Sequence, residues 1–234
     1  MKSAIGLQIR TASKRLPSKA HLHFLGHPMF GHILRRLGES FGPDEIYVLT
    51  SDHQSDDFLA FSAITHYGAR VQRGDLDDVR SRYMTLASEL SLDYLVRVTG
   101  DNPMVLPGLI KRVMEFAQTQ DLDYVSNKLG SSFPRGLDLE VFRVEALRQS
   151  CNQDRSPDAL EHVTPPLIRA VKQRALRGGV ISCEVKSLNE MSFTIDTMED
   201  YLDLSSRLTS PTWETSDENL SMKDPDTAFE LHVY

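Results

Sequence analysis

Hydrophobic and polar positions in this chain follow two rhythms. Residues 4–9 form an apolar run of strand length, and within 28–38 Met29, Ile33, Leu34 and Leu37 recur at helical spacing behind Pro28, which suits an early helical position. Residues 45–50 (EIYVLT) are too uniformly apolar for an exposed sheet, and 56–67 read as the next helix. A short strand at 70–72, a helix at 79–90, a strand at 93–99 stopped by Gly100 and Pro103, and a helix at 106–118 continue the alternation. Strands separated by helices predict an α/β fold, a mostly parallel sheet with helices on both faces in the Rossmann-like manner.

The second half is mixed. A strand is expected at 123–127, and FPRGLDLEVF (133–142) has a turn followed by the alternation of an antiparallel strand, a small antiparallel extension of the sheet. Residues 145–150 read as helix, and Ser156 suits the N-cap of a helix interrupted by Pro165 and Pro166. Late strands are expected at 180–185 and 191–195, the latter leading into the helical DTMEDYLDLSSRL. One domain is expected over 1–208. From Thr209 to Tyr234 the chain is a polar, acidic tail with Trp213 nearly alone, and reads as a partner arm or a disordered segment.

Charge changes the picture. The formal net charge is -7 and the pI about 5.6, which offers no general attraction to nucleic acid or anionic lipid. The N-terminus lacks the apolar core of a signal peptide, and no run of about 18 apolar residues predicts membrane insertion. Cys151 and Cys183 form neither a disulfide framework nor a metal-ligand spacing, and a cytoplasmic location is expected. His21, His23, His27 and His32 match no zinc spacing and are read as surface or loop residues. Against the acidic background, four of the ten residues from Arg10 to Lys19 are cationic. A loop with backbone N–H groups, Lys and Arg beyond the carboxyl end of a strand is suited to a polyphosphate.

That stretch, IGLQIRTASKRLPSK, resembles the nucleotide-binding signature of the cytidylyltransferases that make CMP-activated sugars, specifically the SpsF type of spore coat polysaccharide biosynthesis. The likeness continues in family order through VLTSDHQSDDFLA, RGDLDDVRSRY, YLVRVTGDNPMVLP, DYVSN, FPRGLDLEVF, LEHVTP and FTIDTMEDY, over roughly residues 4–204. CMP-Kdo and CMP-sialic acid synthetases share the first block and the two aspartate blocks. The family usually has Gly where this chain has Ala12 and Ser18, and a small or hydroxyl residue where it has Lys14.

The resemblance implies a GT-A-like nucleotidyltransferase fold and the reaction of CTP with an acidic or unusual sugar, such as a ulosonic acid, giving a CMP-sugar and pyrophosphate with Mg²⁺, in surface polysaccharide or glycan synthesis. Arg10, Thr11, Ala12, Ser13, Arg15 and Lys19 fall on its triphosphate-binding loop, with Arg15 and Lys19 in the catalytic role of holding the β and γ phosphates. Asp101 and Asp196 fall on its metal-binding aspartates, and carboxylates at two strand ends suit Mg²⁺. Asn102 reads first as a turn former and Asp200 as an exposed helix residue. Thr50, Arg73, Gly74, Asp78 and Arg82 are nucleotide-side candidates, although Asp78 and Arg82 equally fit an i,i+4 ion pair. Arg135, Asp138, Glu140 and His162 are sugar-side candidates, His162 as a possible proton acceptor. Related synthetases are commonly homodimers, so a homodimer is implied. The rival readings are a nucleotidyltransferase for another triphosphate, a GT-A glycosyltransferase, and a catalytically weak nucleotide-binding scaffold. The basic loop argues for a free triphosphate over a nucleotide sugar.

Overall fold

A computed structural model of the protein describes residues 1–130, 133–214, 219, 222–223 and 228–234. After β1 (Ser3–Gln8) a small hairpin, β2 (His23–Phe24) with β3 (His27–Pro28), leads into α1 (Met29–Leu37). Then come β4 (Ile46–Ser51), α2 (Asp57–Tyr67), β5 (Arg70–Gly74), α3 (Val79–Leu90), β6 (Tyr94–Thr99) and α4 (Pro107–Thr119). The second half adds β7 (Tyr124–Ser126), β8 (Glu140–Arg143), α5 (Val144–Gln153), α6 (Pro157–His162), α7 (Pro165–Lys172) and β9 (Gly178–Cys183). Two short helices, α8 (Lys186–Asn189) and α10 (Pro211–Glu214), flank α9 (Met198–Thr209), and β10 (Phe229–Val233) follows. Among the described residues no helix is long and apolar enough to cross a membrane.

The main sheet runs β10-β9-β7-β8-β6-β1-β4-β5. Strands β5, β4, β1 and β6 are mutually parallel, β8 is antiparallel to both β6 and β7, β7 and β9 are parallel, and β10 is antiparallel to β9. The two-residue period of a strand divides the core. Ile5 and Leu7, Ile46 and Val48, and Tyr94, Val96 and Val98 pack on one face with α1, α4 and α9. Ala4, Tyr47, Leu49, Leu95, Tyr124 and Phe142 pack on the other with α3, α5 and α7.

Local chemistry sets the helix starts. Asp78 caps α3 by accepting from Ser81 N at 2.8 Å, and Ser156 caps α6 by accepting from Ala159 N at 3.3 Å. The expected break at Pro165 and Pro166 separates α6 from α7, with proline in the first turn of α7, where no N–H is needed. Asp200 is not an exposed helix residue: it is half-buried and completes a capping box with Thr197, accepting from Asp196 N and Thr197 N.

Two readings change. The strand expected at 191–195 does not form a ladder. Its backbone is bonded to two different loops, Phe193 N donating to Arg135 O at 2.7 Å and Ile195 N to Asp101 O at 2.9 Å, with one isolated bridge between Ser192 and Arg135. The apolar alternation there marks burial between loops, not membership of the sheet. The acid-rich stretch from Thr209 contains the buried Trp213 and ends in β10, an edge strand that its composition did not signal.

The crossing of 133–139 over 192–195 depends on Gly136. Its φ is +86°, and a Cβ there would stand 2.2 Å from Thr194 N and 2.4 Å from Phe193 C. Gly136→Ala is predicted to cost about 3 kcal/mol through strain and overpacking. In a chain of this size that lowers Tm by roughly 6–12 °C in a thermal melt. An unchanged Tm would contradict the crossing.

Candidate active site

Three parallel strands, β4, β1 and β6, end at one edge of the sheet, and the loop after β1 curls over that edge. Under it lies a cleft of about 320 Å³. The loop contributes Arg10, Ala12, Ser13, Lys14, Arg15 and Lys19, the floor Gln8, Arg97 and Thr99, and the far side Asp101 and Asp196. Six cationic side chains (Arg10, Lys14, Arg15, Lys19, Arg82, Arg97) face three carboxylates (Asp101, Glu161, Asp196) in this lining, within a chain whose net charge is -7. The local field is therefore set to hold an anion.

The loop is held from outside the cleft. Asp56, fully buried, accepts from Thr11 N at 2.7 Å and from Ser51 N at 3.1 Å, and also from the Ser51 hydroxyl. Burial alone would raise its pKa, but the hydrogen bonds from Ser51 and Thr11 outweigh that and hold it below the usual carboxylate range. Arg10 ties the loop to α6 through Glu161 at 3.3 Å. Ser18 sits at φ +55°, in the left-handed region that favours the glycine usual at this position in the family it resembles.

Asp196 carries most of the charge pairing. Its carboxylate lies 2.9 Å from Lys19 Nζ, 2.8 Å from an Arg15 guanidinium nitrogen and 3.5 Å from one of Arg135. Lys19 Nζ also donates to Ile195 O at 3.1 Å and stands 4.0 Å from Asp101 Oδ2. The Asp101 Oδ1 atom is buried without a hydrogen-bond partner. The extended 191–196 segment thus delivers one aspartate beside the other, whose place at the end of β6 follows from Gly100 and Pro103. Next to this pair is a second hollow of about 230 Å³ lined by Lys128, Arg135, Asp138, His162, Asn102 and Thr194. Asn102 organises its wall, donating to Thr99 Oγ1 at 2.9 Å and Asp138 Oδ2 at 3.2 Å and accepting from Thr194 Oγ1 at 3.2 Å. His162 lines both hollows.

The structure therefore brings together Arg10, Ala12, Ser13, Arg15, Lys19, Arg82, Asp101 and Asp196 in the cleft, and Arg135, Asp138 and His162 beside it. Arg82 donates to Asp75 O at 2.7 Å and Leu76 O at 3.0 Å, so it braces the 75–78 turn and forms no ion pair with Asp78. Six candidates line neither hollow. Thr11 acts through its backbone, Thr50 is fully buried, and Asp78 is spent as a helix cap. Arg73 is tied to Ser51 O, His53 O and Asp57, and Gly74 O accepts from Asp52 N. Glu140 is 1% exposed and ion-paired with Arg97, its cross-strand partner from β6 to β8, so it is a buried structural carboxylate and not a free acceptor for sugar hydroxyls. Of the histidines, His21 packs edge-on to Phe30 and His32 against Phe24. Burial, then the charge of Arg36, lowers the His32 pKa to about 4.

A cytidylyltransferase family model matches residues 4–208. The chain belongs to the cytidylyltransferase family. A solved cytidylyltransferase from Leptospira borgpetersenii serovar Hardjo-bovis is 28% identical, covers 97% of this chain with 97% of its own, and superposes with a TM-score of 0.81. The spore coat polysaccharide biosynthesis protein SpsF of Bacillus subtilis is 28% identical over 211 residues, which is 83% of this chain and 81% of SpsF. An uncharacterized protein of Methanocaldococcus jannaschii, MJ1063, is 34% identical over 159 residues, 68% of this chain and 64% of that protein, so the match leaves over a third of the relative's length unspanned.

In this member of the family the residue most plainly missed from sequence is Arg97. The signal was present: a charged residue inside the buried strand YLVRVT demands a buried partner. Glu140 supplies it, and also accepts from Tyr124 Oη at 2.7 Å, Lys128 Nζ at 3.1 Å and the Thr164 hydroxyl, while Arg97 Nε donates to Gln8 Oε1 at 3.0 Å. Burial would raise the Glu140 pKa, but the charges of Arg97 and Lys128 with these hydrogen bonds outweigh it and hold the carboxyl down to about 2. Because the folded pKa lies below the unfolded one, this stabilisation is present above the ordinary glutamate range and is lost as pH falls toward 2. Glu140→Gln is predicted to cost about 3–5 kcal/mol at pH 7 by leaving Arg97 buried without a counter-charge, and to flatten the acid limb of a pH series of urea unfolding curves. A cost below about 1 kcal/mol would sink this account of the pair.

Proposed function

We propose that the protein is a CMP-sugar synthetase, coupling CTP to an acidic sugar such as a ulosonic acid, with release of pyrophosphate, for polysaccharide or glycan synthesis in the cytoplasm. One observation carries the reading: a cation-rich loop and a pair of strand-end aspartates face each other across a cleft that opens into a second, basic hollow. In this reading Arg10, Ser13, Arg15 and Lys19 hold the triphosphate, the guanidinium of Arg15 gripping two oxygens and Lys19 acting as a point charge. Lys128 and Arg135 receive the sugar's anionic group, and Asp138 accepts from its hydroxyls.

The sugar hydroxyl oxygen attacks the α-phosphorus, the bond to the bridging oxygen breaks, and pyrophosphate leaves with the electron pair. His162, exposed where the two hollows meet, takes the hydroxyl proton. Negative charge grows on the leaving oxygens, so the loop cations stabilise the transition state more than the ground state.

Asp101 and Asp196 fit Mg²⁺. Both carboxylates already converge on one cation, the Lys19 ammonium, and Asp101 Oδ1 is a buried acceptor with nothing bound to it. When bound, the metal would supply charge neutralisation at the phosphates. The Lys19 ammonium stands between the two carboxylates that would hold the metal, so Lys19 competes for that position, and turning it toward the phosphates would free both aspartates.

Pyrophosphate release measured with each of the four nucleoside triphosphates, Mg²⁺ and a panel of ulosonic acids tests the reaction. Release with CTP alone is expected, lost in Asp101→Ala; release with a different triphosphate would overturn the nucleotide assignment. The competition by Lys19 has its own readout, Mn²⁺ binding followed by electron paramagnetic resonance without nucleotide. Lys19→Met should bind Mn²⁺ roughly tenfold or more tightly than the parent, since a competing charge is gone. Unchanged affinity would show that Lys19 does not guard the site.

A further inference from the structure

The cleft and the hollow beside it share five lining residues, Arg97, Thr99, Asp101, His162 and Asp196. These mark the seam between the two spaces. On the proposed function, on which this inference rests, the α-phosphorus lies at that seam, with the sugar hydroxyl on one side and the departing pyrophosphate on the other. The loop cations Arg10, Arg15 and Lys19 line the cleft but not the hollow, and Lys128 and Arg135 line the hollow but not the cleft. Each set serves one end of the reaction. Thr99 Oγ1 already accepts from Asn102 Nδ2 at 2.9 Å. Among the described residues that line both spaces, Arg97 is the one permanent cation.

We propose that Arg97 is a catalytic residue, its guanidinium donating to a non-bridging oxygen of the α-phosphoryl group as the sugar oxygen bonds to phosphorus and the bond to the leaving pyrophosphate breaks. Its position is set before any substrate arrives. The side chain is 5% exposed, with Nε donating to Gln8 Oε1 at 3.0 Å and Nη1 paired with Glu140, so the guanidinium is clamped from β1 and β8 and the donor left for substrate is Nη2. Glu140 does not exhaust the local positive charge. Lys128 Nζ lies 3.1 Å from the same carboxylate oxygen that pairs with Arg97, so two cations share one carboxylate and one positive charge is left over in that group. A fixed, largely desolvated donor of this kind stabilises charge that builds on the phosphoryl oxygens without having to reorganise. The ion pair thus has two functions: it pins the register of β8, and it holds a guanidinium rigid at the seam.

The test must separate this role from the structural one. Glu140→Gln breaks the pair but keeps the guanidinium, whereas Arg97→Met combined with Glu140→Gln removes both charges together, a replacement that buried pairs commonly tolerate. Lys128 loses its counter-charge equally in both, so the difference between them belongs to Arg97. Phosphorus magnetic resonance of CTP with Mg²⁺ on the full chain, without sugar, reads the contact directly. The α-phosphorus resonance should move on binding to the parent and to Glu140→Gln, and that movement should be lost in the double variant while the β and γ resonances still shift. In pyrophosphate release the double variant should show kcat roughly 100-fold or more below that of Glu140→Gln, the loss expected when one donor to a developing oxyanion is removed. If CTP binds and the α resonance of the double variant matches that of Glu140→Gln, the role of Arg97 is overturned and the nucleotide reading stands; a parent that binds no CTP overturns both. Should the double variant fail to fold, Arg97→Lys, which keeps the counter-charge but loses the fork of donors, replaces it and is compared with the parent by the same two readouts.

Discussion

The ion pair between Arg97 and Glu140 lies at the junction on which the rest of the molecule depends. The two residues are register partners across β6 and β8, where the parallel half of the sheet turns antiparallel. Around them Gln8 from β1, Tyr124 from β7, Lys128 beyond β7 and Thr164 at the head of α7 all contribute hydrogen bonds. A pair this deeply buried is a poor source of net stability, because desolvation of both charges offsets their attraction. Its value is in pinning: any slip of β8 by one residue would bury two unpaired charges on opposite faces of the sheet. The pair also places a guanidinium in the floor of both hollows.

Above that floor the site is assembled from pieces that are far apart in sequence. The basic loop comes from the first strand, Asp101 from the fourth strand of the parallel half, and Asp196 from an extended segment bonded to loops on both sides. The loop is shaped by Asp56 and by a left-handed Ser18, and the extended segment is kept in contact by Gly136. Asp56 works through its carboxylate on backbone N–H groups, and Ser18 and Gly136 through their own left-handed backbone. Together they set cations against carboxylates across a cleft in an otherwise acidic protein, the charge pattern on which the proposed function rests.

Much of this was legible in the chain. The parallel half announced itself through period-two and period-3.6 runs, the prolines at 165 and 166 marked a real break, and the cation density after β1 located the cleft. Where reading failed, the cause was that short-range pattern does not distinguish kinds of burial. The run 191–195 alternates because it is packed between loops, and Asp200 looks solvent-facing although it closes a capping box. Glu140 and Arg73 have side chains suited to ligands, but the fold uses them internally, and only their long-range partners reveal it. β10 was hidden because the acid-rich residues before it set the average polarity of the tail, although Phe229, Leu231 and Val233 alternate at strand period.

The proposed function requires that the cleft take one magnesium-bound nucleoside triphosphate. Calorimetric titration of CTP, ATP, GTP and UTP into the full chain with Mg²⁺ addresses it without any sugar. The account predicts a single site for CTP, the other three weaker by roughly an order of magnitude or more, and heat lost when Arg15 is replaced by Ala, since a charge-assisted phosphate contact is gone. Equal binding of all four, or none, would contradict it.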